Sequence, residues 1–254
     1  YNDNVVSYII YSRYYAPGDE NDPSREFYRI GEVAWDENFD PVTGLHWFED
    51  LEAVNGEQYE YAVAAKNAAG QESALSYELV TDAPLPMGLN PVELFAVNGD
   101  NSHLAGFDFS ALDHGRVDPT TPGTTADIQI EFDGGIPYVV TTRPSVHIQD
   151  FGVFTDGSGD LIFEGVSWAP ADGYSNTGVL ELVRGHIYVL EIVDYDGPQV
   201  EVYYAKFGVV QIGAQSVQII WAYQTIQGLP ELSVPQDPSP GQDDHPDGPL
   251  VYEF

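Results

Sequence analysis

The chain has 254 residues, with 41 Asp+Glu against 8 Lys+Arg and a formal net charge of −33. A field that negative repels nucleic acid and anionic membrane surfaces at long range. The absence of cysteine excludes disulfides, thiolate metal sites and a Cys nucleophile.

In chain order, the predicted elements are almost all strands. Residues 5–11 are rich in Val, Ile and Tyr, and residues 58–63 alternate polar and apolar side chains around inward tyrosines. Between them, residues 27–33 and 47–51 read as shorter strands, and Asn55-Gly56 as a turn. A last strand of this group is expected over residues 76–81. Asp82-Ala83-Pro84-Leu85-Pro86 then reads as a stiff, extended linker, because each Pro fixes φ and disfavours helix before it. Further strands follow at 106–110, 127–132, 203–207 and 216–221. Asp133-Gly134-Gly135, Asp156-Gly157 and Asp196-Gly197-Pro198 mark turns, and a helical turn or two is expected near Ala111. With 25 Gly and 18 Pro there is little room for long helices. The expected fold class is therefore all-β: an immunoglobulin-like sandwich over residues 1–83, a linker at 84–87, and a larger antiparallel β domain over 88–232. Residues 233–249 are nearly all Pro, Asp, Gly, Gln and Ser, the composition of a disordered acidic linker. Residues 250–254 form a short terminal strand.

The first segment resembles the fibronectin type III family. The resemblance runs through Val6-Ser7-Tyr8-Ile9-Ile10-Tyr11-Ser12-Arg13, which looks like that family's third strand. It continues through residues 27–33 and 47–51. Its most specific part is Gly56-Glu57-Gln58-Tyr59-Glu60-Tyr61-Ala62-Val63, leading into Asn67-Ala68-Ala69-Gly70. The family has two strands before the third, and nothing ahead of Val5 supplies them. A sandwich without them exposes apolar surface at roughly 25 cal/mol per Å² and leaves an edge that recruits strands. Three completions stay open: a truncated chain, a patch from elsewhere in the same chain, or a strand from a neighbouring subunit. Leu250, Val251, Tyr252, Glu253 and Phe254 are the candidate donor strand, and Val6, Tyr8 and Ile10 the candidate exposed acceptor. At roughly 3.3 Å per extended residue, the tail after Leu232 reaches on the order of 70 Å.

Residues 88–232 are similar to the HmuY-type haem-binding lipoprotein family of bacterial surfaces. Gly106-Phe107-Asp108-Phe109-Ser110 looks like its opening strand, and Ala126-Asp127-Ile128-Gln129-Ile130-Glu131-Phe132 like a later one. Tyr203-Tyr204-Ala205-Lys206-Phe207 resembles its final strand, with residues 218–224 as the pairing strand. The resemblance implies a haem-binding β domain with paired axial ligands. None of His103, His114, His147 and His186 falls at a position that matches those ligands, so haem is not expected, and His147 and His186 read as ordinary strand residues.

Other sites are sparse. Asp156 and Asp160, four apart on a Gly-rich loop, are the candidate calcium ligands, set against a solvated turn. Nucleophile-elbow, phosphate-loop and zinc-protease motifs are absent. Trp35, Trp47 and Tyr174 are candidates for a sugar-binding platform, against the commoner fate of packing. No enzyme activity, no cofactor and no nucleic-acid partner is expected. The expectation is a bacterial extracellular or cell-surface structural protein that self-associates into a homopolymer or adheres through sheet edges. The acid excess fits a halophilic or marine setting and a generic acidic secreted protein equally. A haemophore-type ligand binder and an accessory region of a carbohydrate-active enzyme are the alternatives.

Overall fold

A computed structural model of the chain describes residues 4–16, 18, 25–39, 44, 46–77, 79–110, 115–123, 125–196, 199–234 and 250–253, with the backbone alone for Asp196 and for 250–253. The expected turn near Ala111 lies outside the described residues. The fold is all-β: sixteen strands and two short 3₁₀ turns, with no α-helix among the described residues. The chain divides into two compact units. One holds the segment up to Pro84 together with the terminal strand, and the other holds Leu85–Val234.

The first unit begins with β1 (Val5–Tyr14), β2 (Tyr28–Ala34), β3 (Trp47–Asp50), β4 (Tyr59–Asn67) and β5 (Val80–Asp82). Four of these form an antiparallel sheet in the order β2-β1-β4-β5. The even-numbered face of β1 points inward, so Ile10 packs with Val33, Ala53, Tyr59 and Tyr61, flanked by Ile30 and Phe48. Phe48 lies against the backbone of Gly31, where an added Cβ would sit 2.2 Å from the ring. The Tyr59 hydroxyl accepts the Val54 N–H at 3.1 Å, tying the approach to β4 back onto its own strand. Tyr61 donates to Asp50 at 2.9 Å. The opposite face buries Ile9, Ala62 and Ala64, and beside them four cations, Arg13, Arg25, Arg29 and Lys66, gather around Glu32 and Glu60. Along β4 the edge is finished by hydroxyls: Ser76 accepts the Val63 N–H at 3.2 Å and Ser73 the Ala65 N–H at 3.0 Å.

β1 is not the exposed acceptor expected of Val6, Tyr8 and Ile10. It is central, with β2 hydrogen-bonded on one side and β4 on the other, so its main-chain groups are already satisfied. Val6 is exposed, but Ile10 is core.

The second unit runs β6 (Met87–Phe95), β7 (Gly106–Asp108), β8 (Gly115–Val117), β9 (Ile128–Asp133), β10 (Ile136–Thr141), β11 (Val146–Val153), β12 (Val179–Glu181), β13 (His186–Asp196), β14 (Gln199–Ile212) and β15 (Ser216–Gln224). They build two five-stranded antiparallel sheets, β12-β10-β9-β7-β8 and β11-β13-β14-β15-β6. A large core lies between them, from Phe107, Phe109, Ile128, Ile130, Tyr188, Leu190, Phe207 and Trp221. The expected pairing of residues 203–207 with 218–224 is present, with Tyr204 opposite Gln224 and Phe207 opposite Trp221. The second sheet is buried on its other face too. Segments around Phe163–Val166 and Leu232 cover Ile187, Val189 and Ala222. Leu85 belongs to that cluster, the Pro86 carbonyl accepts the Tyr223 N–H and Met87 opens β6, so all of the expected 84–87 linker but Pro84 is built into this unit. Gly208 lets the cover approach, since a Cβ there would meet Leu161 at 2.3 Å.

Lys206 stands on that covered face, fully buried. Its Nζ donates to the Phe163 carbonyl at 2.9 Å and the Val166 carbonyl at 2.7 Å, with the Phe163 ring 4.4 Å away. Burial pushes its ammonium down to about 7, against a small opposing pull from Glu164.

The last strand, β16 (Leu250–Glu253), returns to the first unit and pairs antiparallel with β3, Leu250 opposite Asp50 and Glu253 opposite Trp47.

Candidate functional site

The feature with the clearest functional content is the edge of β3. Four residues of β3 meet four residues from the far end of the chain, in the register Leu250↔Asp50, Val251↔Glu49, Tyr252↔Phe48, Glu253↔Trp47. β3 is held from behind by Phe48 in the core and by Asp50. The Asp50 carboxylate takes the Tyr61 hydroxyl on one oxygen and the Glu52 N–H on the other, at 3.0 Å. Among the described residues, β16 and β3 form a two-stranded sheet, so the second layer of this unit is much smaller than the four-stranded first. The donor expected in residues 250–254 thus meets an acceptor, but the acceptor is β3. Phe254 lies outside the described residues.

Next to this edge, His46 sits buried among three rings, with centroids 5.2 Å from Tyr8, 5.3 Å from Trp35 and 5.0 Å from Phe39. Trp35 and Phe39 are about half exposed, at 51% and 45%. The cluster extends the inner face of the sheet beyond Ile10. Trp35 therefore packs on one side and is open on the other, whereas Trp47 lies on β3 itself. Tyr174, the third candidate for a sugar platform, is in the second unit, with its hydroxyl donating to the Pro170 carbonyl at 3.0 Å.

The Asp156–Asp160 loop organises itself. Asp156 accepts the N–H groups of Ser158 at 2.8 Å and Asp160 at 2.9 Å, and the Ser158 hydroxyl bridges to both carboxylates. Those bonds hold the Asp156 carboxyl below its ordinary range. Among the described residues, no three His, Asp or Glu side chains gather as a metal cluster. His186 pairs with both oxygens of Asp150 at 3.0 Å. It lies opposite Val153, six residues along β11 from His147, a separation of roughly 20 Å at strand rise. The two rings cannot ligate one iron.

A charged network that the sequence did not signal spans the second unit. Asp127 is fully buried and accepts the Phe109 N–H at 2.8 Å. Arg143 bridges it to Asp194, 2.6 Å to each carboxylate. Burial raises the Asp127 carboxyl to about 6, against the pull of Arg143 and the Phe109 amide.

No family model matches this chain, and neither does any curated protein. A solved structure of a DUF4466 family protein from Parabacteroides merdae ATCC 43184 is similar over 87% of each chain, at 10% sequence identity and a TM-score of 0.39.

Proposed function

We propose that the chain is a non-enzymatic structural protein of the bacterial cell surface or exterior, which assembles by exchanging its terminal strand between copies. The observation that carries the reading is the β16–β3 pairing: a strand from the far end of the chain supplies the missing neighbour of β3. The order β2-β1-β4-β5 is what the third strand of a fibronectin type III module and its sheet partners would form. The Tyr59 hydroxyl bond to the Val54 amide also fits the tyrosine corner of such sandwiches. In that frame β3 is a strand of the second sheet, and β16 stands where the family's second strand would pair. The same main-chain bonds form whether β16 comes from its own chain or from another. The choice is then set by the effective concentration that the tether imposes against the concentration of other copies.

Generic stickiness is a poor route to assembly at a net charge of −33, whereas main-chain pairing at one edge is specific. The absence of cysteine makes a direct test available. Glu49→Cys with Val251→Cys places a pair at directly opposed positions of the ladder. Oxidation in dilute solution should give an intrachain bond. Oxidation after concentration and refolding should give a ladder of covalent multimers, visible as filaments by negative stain and lost on deletion of residues 250–254. Intrachain bonds alone under every condition, or multimers that survive the deletion, would refute exchange.

A further inference from the structure

The second unit contains a cleft of about 740 Å³ at the β11 edge of its doubly covered sheet, within the size range of small-ligand sites. Its floor is a cross-strand pair, His147 on β11 opposite Glu191 on β13. Its walls are the 141–144 turn, which carries Arg143, and the 173–178 loop, which carries Tyr174, Asn176 and Thr177. The loop is fastened at both ends, by the Ser175 N–H to the Ile148 carbonyl at 2.7 Å and by the Thr141 N–H to the Gly178 carbonyl at 2.8 Å. The walls are therefore preformed.

The chemistry of the lining narrows the ligand. The Arg143 charge is already matched by Asp127 and Asp194, and Glu191 adds a further negative charge, so the cleft carries a net acid excess and disfavours anions. Its polar groups nevertheless have unused capacity. The His147 ring nitrogens, the Glu191 carboxylate and the Asn176 amide make no hydrogen bond among the described residues. Tyr174 lines the cleft as well, its ring 6.3 Å from that of His147, centroid to centroid. Donors, acceptors and an aromatic surface converging without net positive charge suit a neutral molecule dense in hydroxyls. Each hydroxyl both donates and accepts, and its C–H face packs on a ring.

The geometry points to this cleft as a binding site for a neutral oligosaccharide. It is independent of strand exchange at β3 and stands or falls separately. The test is a calorimetric or NMR titration of the full chain with neutral hexasaccharides (maltohexaose, cellohexaose, laminarihexaose, mannohexaose and xylohexaose), with polygalacturonate as the anionic comparison. At least one neutral probe should bind, and Asn176→Ala, His147→Ala and Glu191→Gln should each weaken it about tenfold without moving the melting temperature. Ser158→Ala, on a different loop, should change nothing. No binding by any neutral probe up to about 10 mM, binding unaffected by all three cleft variants, or polygalacturonate binding as tightly as the neutral probes would each overturn the assignment.

Discussion

Lys206 offers a quantitative test of how the second sheet is covered. Its ammonium is lowered to about 7 from 10.5 by burial. A drop of this size corresponds to roughly 5 kcal/mol at about 1.4 kcal/mol per unit. Because the folded-state value is depressed, the unfolded chain binds more protons than the folded one between about pH 7 and 10. Stability from this group therefore rises with pH across that window. Lys206→Met removes the titration but leaves the Phe163 and Val166 carbonyls without their donor, so the variant is not simply stabilised. The informative quantity is the difference in unfolding free energy between the native chain and Lys206→Met. It should grow in favour of the native chain by roughly 3 kcal/mol from pH 7 to 9.5. Guanidinium melts followed by tryptophan fluorescence measure it, in a Trp35→Phe, Trp47→Phe background so that the signal comes from Trp221 and Trp168 of the second unit. A difference that stays flat across the window would refute the reasoning, because it would mean that Lys206 keeps its charge and reaches water.

Asp127 should show the opposite sign. Its folded-state value is raised to about 6, so its contribution is present at low pH and is lost as pH rises through 6. The stability of the native chain relative to Asp127→Asn should fall by roughly 2 kcal/mol between about pH 4 and 6.5, read from urea melts at stepped pH. Gly31→Ala should destabilise the first unit by about 1–3 kcal/mol, because its Cβ would fall on Phe48. Hydrogen exchange should locate the loss at β2 and β3. Raising NaCl from low ionic strength to about 1 M should raise the melting temperature by screening the −33 charge; a fall would contradict the acid-repulsion argument.

Strands that carry a strong local pattern were legible in the sequence. β1, β4, β9 and β15 all fall where β-branched and aromatic residues concentrate, and the inward tyrosines of β4 are Tyr59 and Tyr61, both buried. The terminal strand was legible as a strand, but not its partner. Register with β3 depends on contacts some 200 residues apart in sequence, and no local pattern encodes them. β1 was misread as an edge for the same reason: which strands flank it is a property of the sheet, not of residues 5–11. Nothing local to residues 203–207 marks Lys206 as interior. Only the loops that close over Gly208 make that face an interior. Of the cleft, Tyr174 was visible as an aromatic on a loop. The meeting of His147 with Glu191 and the Arg143 bridge are products of cross-strand pairing.

The return of β16 to β3 also sets an order of events during synthesis. The strands of the four-stranded sheet of the first unit, and β3, are made before any residue of the second unit, but β16, the neighbour of β3, is made after the second unit. Throughout translation of residues 85–249 the edge of β3 waits unpaired, while the units behind it fold as they emerge. Until residues 250–253 have been made, β3 lacks the neighbour it has in the folded chain. If the proposed exchange operates, residues 250–253 of another copy would compete for the same place in that interval.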